Sequence, residues 1–196
     1  MSTKKIVILI FSVAAIVVSI KIYFIVTGSV RPTKPVNQVV NTFVITDLQK
    51  KEFKIKKSKL NEDIMKLNEY PDGIEQKMNE VAKGLSEVEL EILKIEALDN
   101  GLSKDDRAMS VELMLRANSN SSFQRLISIL TDITFDQKNE IEIEMRKHII
   151  EGVSEYYDKD QVITSLEKIE AIDPKGALGE TYRRVVVGLR FGKPVR

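Results

Sequence analysis

The one histidine of this chain and four glutamates fall at a spacing that could hold a cation or move a proton. On a helix running from about Lys138 to Tyr156, Glu140, Glu144, His148, Glu151 and Glu155 share an arc of about 80° at 100° per residue. Carboxylates with an imidazole are donor types that a divalent cation accepts. The diiron-bundle pattern, however, needs Glu-x-x-His with ligands from other helices, whereas Glu144 and His148 are four apart. A Ser-His-Asp hydrolase would depend on His148 too, yet no Gly-x-Ser-x-Gly turn presents a serine to it. The opposite arc carries Ile141, Met145, Ile149, Val153 and Tyr156, so the segment reads as a core face backed by a solvated acidic face. No Walker or dinucleotide glycine pattern occurs. The expectation is no catalytic residue, no metal site, no cofactor and no evident small-molecule substrate, with an enzyme using the acidic helix as the remotest alternative.

A second polar constellation is more specific. Lys50, Lys51, Lys54, Lys56, Lys57 and Lys59 crowd ten residues, interleaved with Phe53 and Ile55. Ammonium groups near an anionic bilayer each contribute about 1 kcal/mol, so these six are the expected lipid or partner contacts; the plainer reading is a solvated helix start. Arg183, Arg184, Arg190, Lys193 and Arg196 make a second basic region, and Asn120-Ser121-Ser122 matches a glycosylation triplet.

The membrane expectation comes from the N-terminus. Behind a basic tail at residues 1–5 with Lys4 and Lys5, the run Ile6 to Thr27 is apolar apart from Lys21. About 22 helical residues reach roughly 33 Å, enough for a hydrocarbon core of about 30 Å. Lys21 lies near the outer end, where its stem can carry the charge to the interface. The segment reads as an uncleaved signal anchor spanning the membrane once, with the C-terminal domain exported. A cleaved secretory signal is the competing reading, and an inward-facing domain held on the membrane by the lysine cluster is a third. Residues 28–46 open with Gly28, Pro32 and Pro35 and read as a linker; Val36 to Ile45 fits a short strand or an apolar helical turn.

Composition bounds the remainder, 47–196, as a single mainly α-helical domain. The chain has 30 basic against 29 acidic residues, and Lys4, Lys5 and Lys21 belong to the membrane segment, so no basic excess favours nucleic acid. The absence of cysteine excludes thiol catalysis, disulfides and lipidated cysteine, and the absence of tryptophan disfavours stacking platforms. Leu60, Ile64 and Leu67 mark one helix face, Tyr70-Pro71-Asp72-Gly73 a turn, and Ile74 to Leu85 a weakly apolar helix. Ser86 with Glu89 forms a capping-box pattern before Val88, Ile92 and Ile95, closed by Asn100-Gly101. Ser103, then Ser122 or its neighbour, then Asp158 and Asp173-Pro174 open the later helices.

A 36-residue shift aligns these helices. Met109, Leu113, Met114 and Ala117 fall on Met145, Ile149, Ile150 and Val153, and the last three fall again on Val185, Val186 and Leu189. Likewise Ser122, Leu126, Ile127, Leu130 and Ile133 fall on Asp158, Val162, Ile163, Leu166 and Ile169. From Ser103 to Leu189 this resembles HEAT-like α-solenoid repeats in pair length and apolar spacing. The resemblance implies antiparallel helix pairs stacked into a short solenoid that binds protein and performs no chemistry. The function expected is therefore a membrane-anchored scaffold or adaptor for another protein.

Overall fold

The computed structural model describes residues 44–66 and 71–192. Eight helices make up all of their regular structure: α1 Asp47–Lys66, α2 Pro71–Lys83, α3 Glu87–Leu98, α4 Lys104–Ala117, α5 Asn120–Leu130, α6 Glu140–Tyr156, α7 Lys159–Ile172 and α8 Gly179–Phe191. The basic tail at 1–5, the segment Ile6 to Thr27, most of the linker expected at 28–46, Leu67, Tyr70, Lys193 and Arg196 lie outside the described residues. Among those described, no helix is long and apolar enough to cross a membrane.

Local chemistry sets the helix starts. The Thr46 amide donates to Gln49 Oε1 at 2.9 Å while the Gln49 amide donates to Thr46 Oγ1 at 3.3 Å, a reciprocal box that opens α1. The box expected at α3 is present, Ser86 N to Glu89 Oε2 at 2.8 Å and Glu89 N to Ser86 Oγ at 3.3 Å. Ser103 and Asp158 cap α4 and α7 as their sequence positions indicate.

Three expectations need correction. Pro71 is the first residue of α2 and not the bend of a turn, because a helix loses nothing when its first residue lacks an N–H. Ser119, not Ser122, caps α5, and Ser122 returns the bond as the third helical residue. Asp173-Pro174 does not start the last helix: α8 begins at Gly179, after a turn in which the Gly176 amide donates to the Asp173 carbonyl.

Between α4 and α5 the chain reverses through Asn118, whose φ of 44° is left-handed and ends α4. Asparagine tolerates that conformation better than other side chains. All the substantial helix contacts join elements one or two apart in the chain, such as α3 with α4, α4 with α6, and α6 with α8. The buried side chains of these helices form one cluster, mostly aliphatic. Leu113, Ile149 and Val185 are at most 1% exposed, and Met114, Ile150 and Val186 are also buried, so the 36-residue shift does place core on core along α4, α6 and α8. At the second helices the buried positions match as well, Leu126 with Val162 and Leu130 with Leu166, but the caps Ser119 and Asp158 are offset further because α6 has 17 residues to α4's 14. Ile133 lies past the end of α5 and is 98% exposed, not part of its apolar face.

Helices α4 and α6 are in tight contact at Gly152. A Cβ there would meet Leu115 Cδ1 at 2.5 Å, and Leu115 is completely buried. Replacing this glycine by alanine gains about 1 kcal/mol of helix propensity but overpacks the core by about 1–3 kcal/mol. Gly152→Ala is therefore expected to lower the urea midpoint; a raised midpoint would show that the two helices are not in tight contact.

Candidate functional site

Helix α1 divides the lysine cluster. Phe53, Lys57 and Leu60 form its buried edge, so lysines near that edge point inward. Lys57 Nζ donates to Glu96 Oε2 at 2.7 Å, Ser110 Oγ at 2.9 Å and the Asp106 carbonyl at 3.2 Å, which uses all three of its protons and ties α1 to α3 and α4. Lys56 pairs with Glu89 at 2.7 Å; burial, the largest single effect, pushes the Glu89 carboxyl up, but the bonds from Lys56 and from the Ser86 backbone and hydroxyl together hold it below its ordinary pKa. These two of the six are committed to internal ion pairs, whereas Lys50, Lys51, Lys54 and Lys59 are exposed.

The acidic arc of α6 is solvent-facing at Glu140, Glu144, His148 and Glu155 and half-buried at Glu151. Three of its members bond outward to neighbouring helices and do not converge. Glu144 pairs with Lys104 of α4 at 2.7 Å, His148 Nε2 meets Glu112 of α4 at 3.2 Å, and Glu151 pairs with Arg184 of α8 at 2.5 Å. Among the described residues no three His, Asp or Glu side chains are grouped as metal ligands. The Glu112 bond holds His148 above its ordinary pKa of 6.5, helped by the charges of Glu112, Glu151 and Glu155 and opposed by burial. The same bond, with Arg116, holds Glu112 below 4.5.

An apolar cavity of about 290 Å³ opens between α4 and α6 beside this arc. Ala108, Ile141 and Met145 supply its apolar wall, with Lys104, Glu144 and His148 around it. Ile141, expected in the core, is 44% exposed here. It stands at the edge of the apolar arc next to Glu144 and His148, so α6 hands it to the groove and not to the interior.

Beneath this wall lies a cluster that the chain's periodicity conceals. Glu142 and Arg146 sit four apart on the buried side of α6, and the Glu142 carboxylate bridges Arg107 of α4 and Arg146. All three are at most 5% exposed. Arg107 also donates to the Ala97 carbonyl and Asn100 Oδ1, each at 2.9 Å, closing the end of α3. Arg146 lies 4.1 Å from the centroid of the Phe135 ring, and its Nε and Nη2 have no hydrogen-bond partner among the described residues. The guanidinium charge is met there by the ring's quadrupole.

Past Phe135 a second cavity of about 270 Å³, open to solvent, is lined by the α5–α6 loop, α7 and the turn before α8. Tyr182 lines it, its hydroxyl pushed up to about 12 by burial despite the nearby charge of Arg146. On the far side of α5, Tyr157 OH lies 2.8 Å from Ser122 Oγ and donates to the Met114 carbonyl at 2.9 Å. That contact ties the α6–α7 connection to α4 and α5.

Compared with family models, curated proteins and solved structures, the chain finds no match.

Two measurements follow from the electrostatics. Removing one partner of a buried ion pair strands the other charge at a cost of about 3–5 kcal/mol. Glu142→Gln strands two guanidinium groups and is expected to cost at least that much in urea unfolding; a loss under about 1 kcal/mol would mean that the cluster is hydrated. The raised pKa of His148 adds stability that is complete below about 6.5 and fades as pH rises through the raised value. The lowered pKa of Glu112 adds stability that is complete above about 4.5 and fades on acidification. His148→Gln should thus cost most between pH 4.5 and 6.5 and little in alkali, by less than about 1 kcal/mol because the side chain is half exposed. A pH-independent difference would contradict the pairing.

Proposed function

We propose that this chain is a single-pass membrane protein whose helical domain is a scaffold or adaptor for another protein. The apolar run Ile6 to Thr27 supports the anchor. The domain is read as exported, and α3 to α8 as antiparallel pairs of a short HEAT-like solenoid. Contacts restricted to elements one or two apart, together with the shared core positions of α4, α6 and α8, support that reading.

The observation that carries the binding role is the α4–α6 groove. Its apolar wall, with exposed Ile141, is bordered by Lys104, Glu144 and His148, which belong to the interhelical ion pairs Lys104 with Glu144 and Glu112 with His148. An apolar anchor residue of a partner fits a pocket of this kind, and charged neighbours fix its orientation. The role requires no chemistry from the chain itself.

A photoreactive residue in place of Ile141, in the full chain in its own membrane, tests this. A discrete adduct with one other protein is expected, suppressed by Ala108→Asp, which places a charge in the groove. The same probe at exposed Thr164 on α7 should give none. Equal adducts at both positions, or none at Ile141, would overturn the adaptor role. A mature mass lacking the N-terminal run would replace the anchor with the secreted alternative.

A further inference from the structure

The cavity past Phe135 has a polar corner that no contact between helices uses. Leu130, Phe135, Ile169 and Leu178 give it an apolar lining, and the exposed side chains of Ile133 and Ile172 belong to the same wall. Tyr182 lines it too. This residue is only 4% exposed, yet its hydroxyl has no hydrogen-bond partner among the described residues. A buried hydroxyl loses its water bonds on folding unless an occupant of the cavity restores them. The charge of Asp173 acts on this hydroxyl, which sets that carboxylate near it.

Two carboxylates line the cavity, and each is fixed through one of its oxygens. Gln137 Nε2 donates to Asp173 Oδ2 at 2.7 Å while Gln137 Oε1 accepts from the Ala177 amide at 3.2 Å, so one side chain ties Asp173 to the turn before α8. Gly176 leaves room for the carboxylate, since a Cβ there would meet Asp173 Oδ2 at 2.1 Å. Asp132 Oδ1 accepts from the Thr134 amide at 2.8 Å and from the Thr134 hydroxyl. The second oxygen of each aspartate has no hydrogen bond among the described residues. No lysine or arginine lines the cavity. Lys94 and Arg146 act on Asp132 from outside it, Arg146 while bonded to Glu142, and Lys138 and Lys175 are exposed on the flanking loops. The lining itself carries two negative charges and no positive one.

We infer that this cavity binds a small organic amine, its ammonium donating to Asp173 and to the Tyr182 hydroxyl oxygen and its apolar body covering Ile133 and Ile172. An ammonium group offers donors and no acceptor, and a carboxylate offers acceptors alone, so the two are complementary. Burial keeps the Tyr182 hydroxyl neutral, free to accept one of those bonds. A carboxylate or phosphate ligand would instead face two like charges. The cavity lies just below the range of about 300–1,000 Å³ usual for drug-sized ligands, which limits the amine to a small one. None of its lining residues is shared with the α4–α6 groove, so the two sites stand or fall separately.

The probe is phenylethylamine, titrated into the full chain in a nonionic detergent, with fluorotyrosine incorporated and fluorine NMR as the readout. The Tyr182 signal, identified by its loss in Tyr182→Phe, is expected to move saturably with the amine and to stay in place with phenylpropionate, an acid of similar shape. Asp173→Asn is expected to weaken the amine by about tenfold. Ala177→Trp, a change at an exposed residue of the lining, is expected to abolish binding, and Glu155→Gln, on the exposed arc of α6, to leave it unchanged. Equal movement with amine and acid, or equal affinity in Asp173→Asn, would overturn the selection of a cation. No saturable movement with the amine would overturn the site. Tighter binding of a lysine blocked at both its α-amino and carboxyl groups would overturn the free amine and assign the cavity to a lysine of a partner protein.

Discussion

The carboxylate of Glu142 is the constraint on which the other contacts depend. It is held in a dry interior only because guanidinium groups from α4 and α6 bracket it, and each of those groups has a second task. Arg107 closes the carbonyl end of α3, and Arg146 lies under Phe135 at the entrance to the α5–α6 loop. One buried charge therefore fixes the relative positions of α3, α4, α6 and the loop before α6. Aliphatic packing alone would permit these helices to slide along one another, since oily surfaces are tolerant of register. The ion cluster is intolerant, because a displaced partner leaves a buried charge unpaired.

The same device recurs at other junctions in weaker form. Lys57 reaches from α1 to Glu96 and Ser110, Arg125 from α5 to Glu87 and Glu91 on α3, and Arg184 from α8 to Glu151 on α6. Each bond joins helices two apart in the chain, apart from the Ser110 contact, which spans three. The exposed pairs contribute little stability individually. Their value is directional, since they align neighbours whose apolar faces would accept several registers. The α4–α6 groove lies between helices aligned in this way: they are in contact at Gly152, and the cavity opens at Ile141.

Much of the helical order is legible in the chain because it is written in short-range chemistry. Ser86 with Glu89, Ser103 and Asp158 are caps whose partners lie within three residues. Pro71 and Asp173 mislead because proline serves a turn and a helix start equally well, and tertiary packing selects between them. Ile141 and Ile133 mislead because apolar side chains at the margin of a face can be either core or surface. The buried cluster leaves one faint trace, an opposite-charge pair, Glu142 and Arg146, set among Met145, Ile149 and Val153 on the apolar arc. Its third member lies 35 residues earlier, at Arg107, and no local pattern connects it. The division of the lysine cluster is hidden for the same reason, because Glu89, Glu96 and Ser110 come from α3 and α4.

Helices locked by buried charge are suited to holding a groove open at their surface, and they place rigid elements on both sides of any bound partner. Hydrogen exchange of Arg107→Met against the unaltered chain tests this most directly. The account predicts that amides at the end of α3, in α4 and in α6 lose protection together, since one carboxylate connects them. Loss confined to the few residues around position 107, with α6 unchanged, would contradict it.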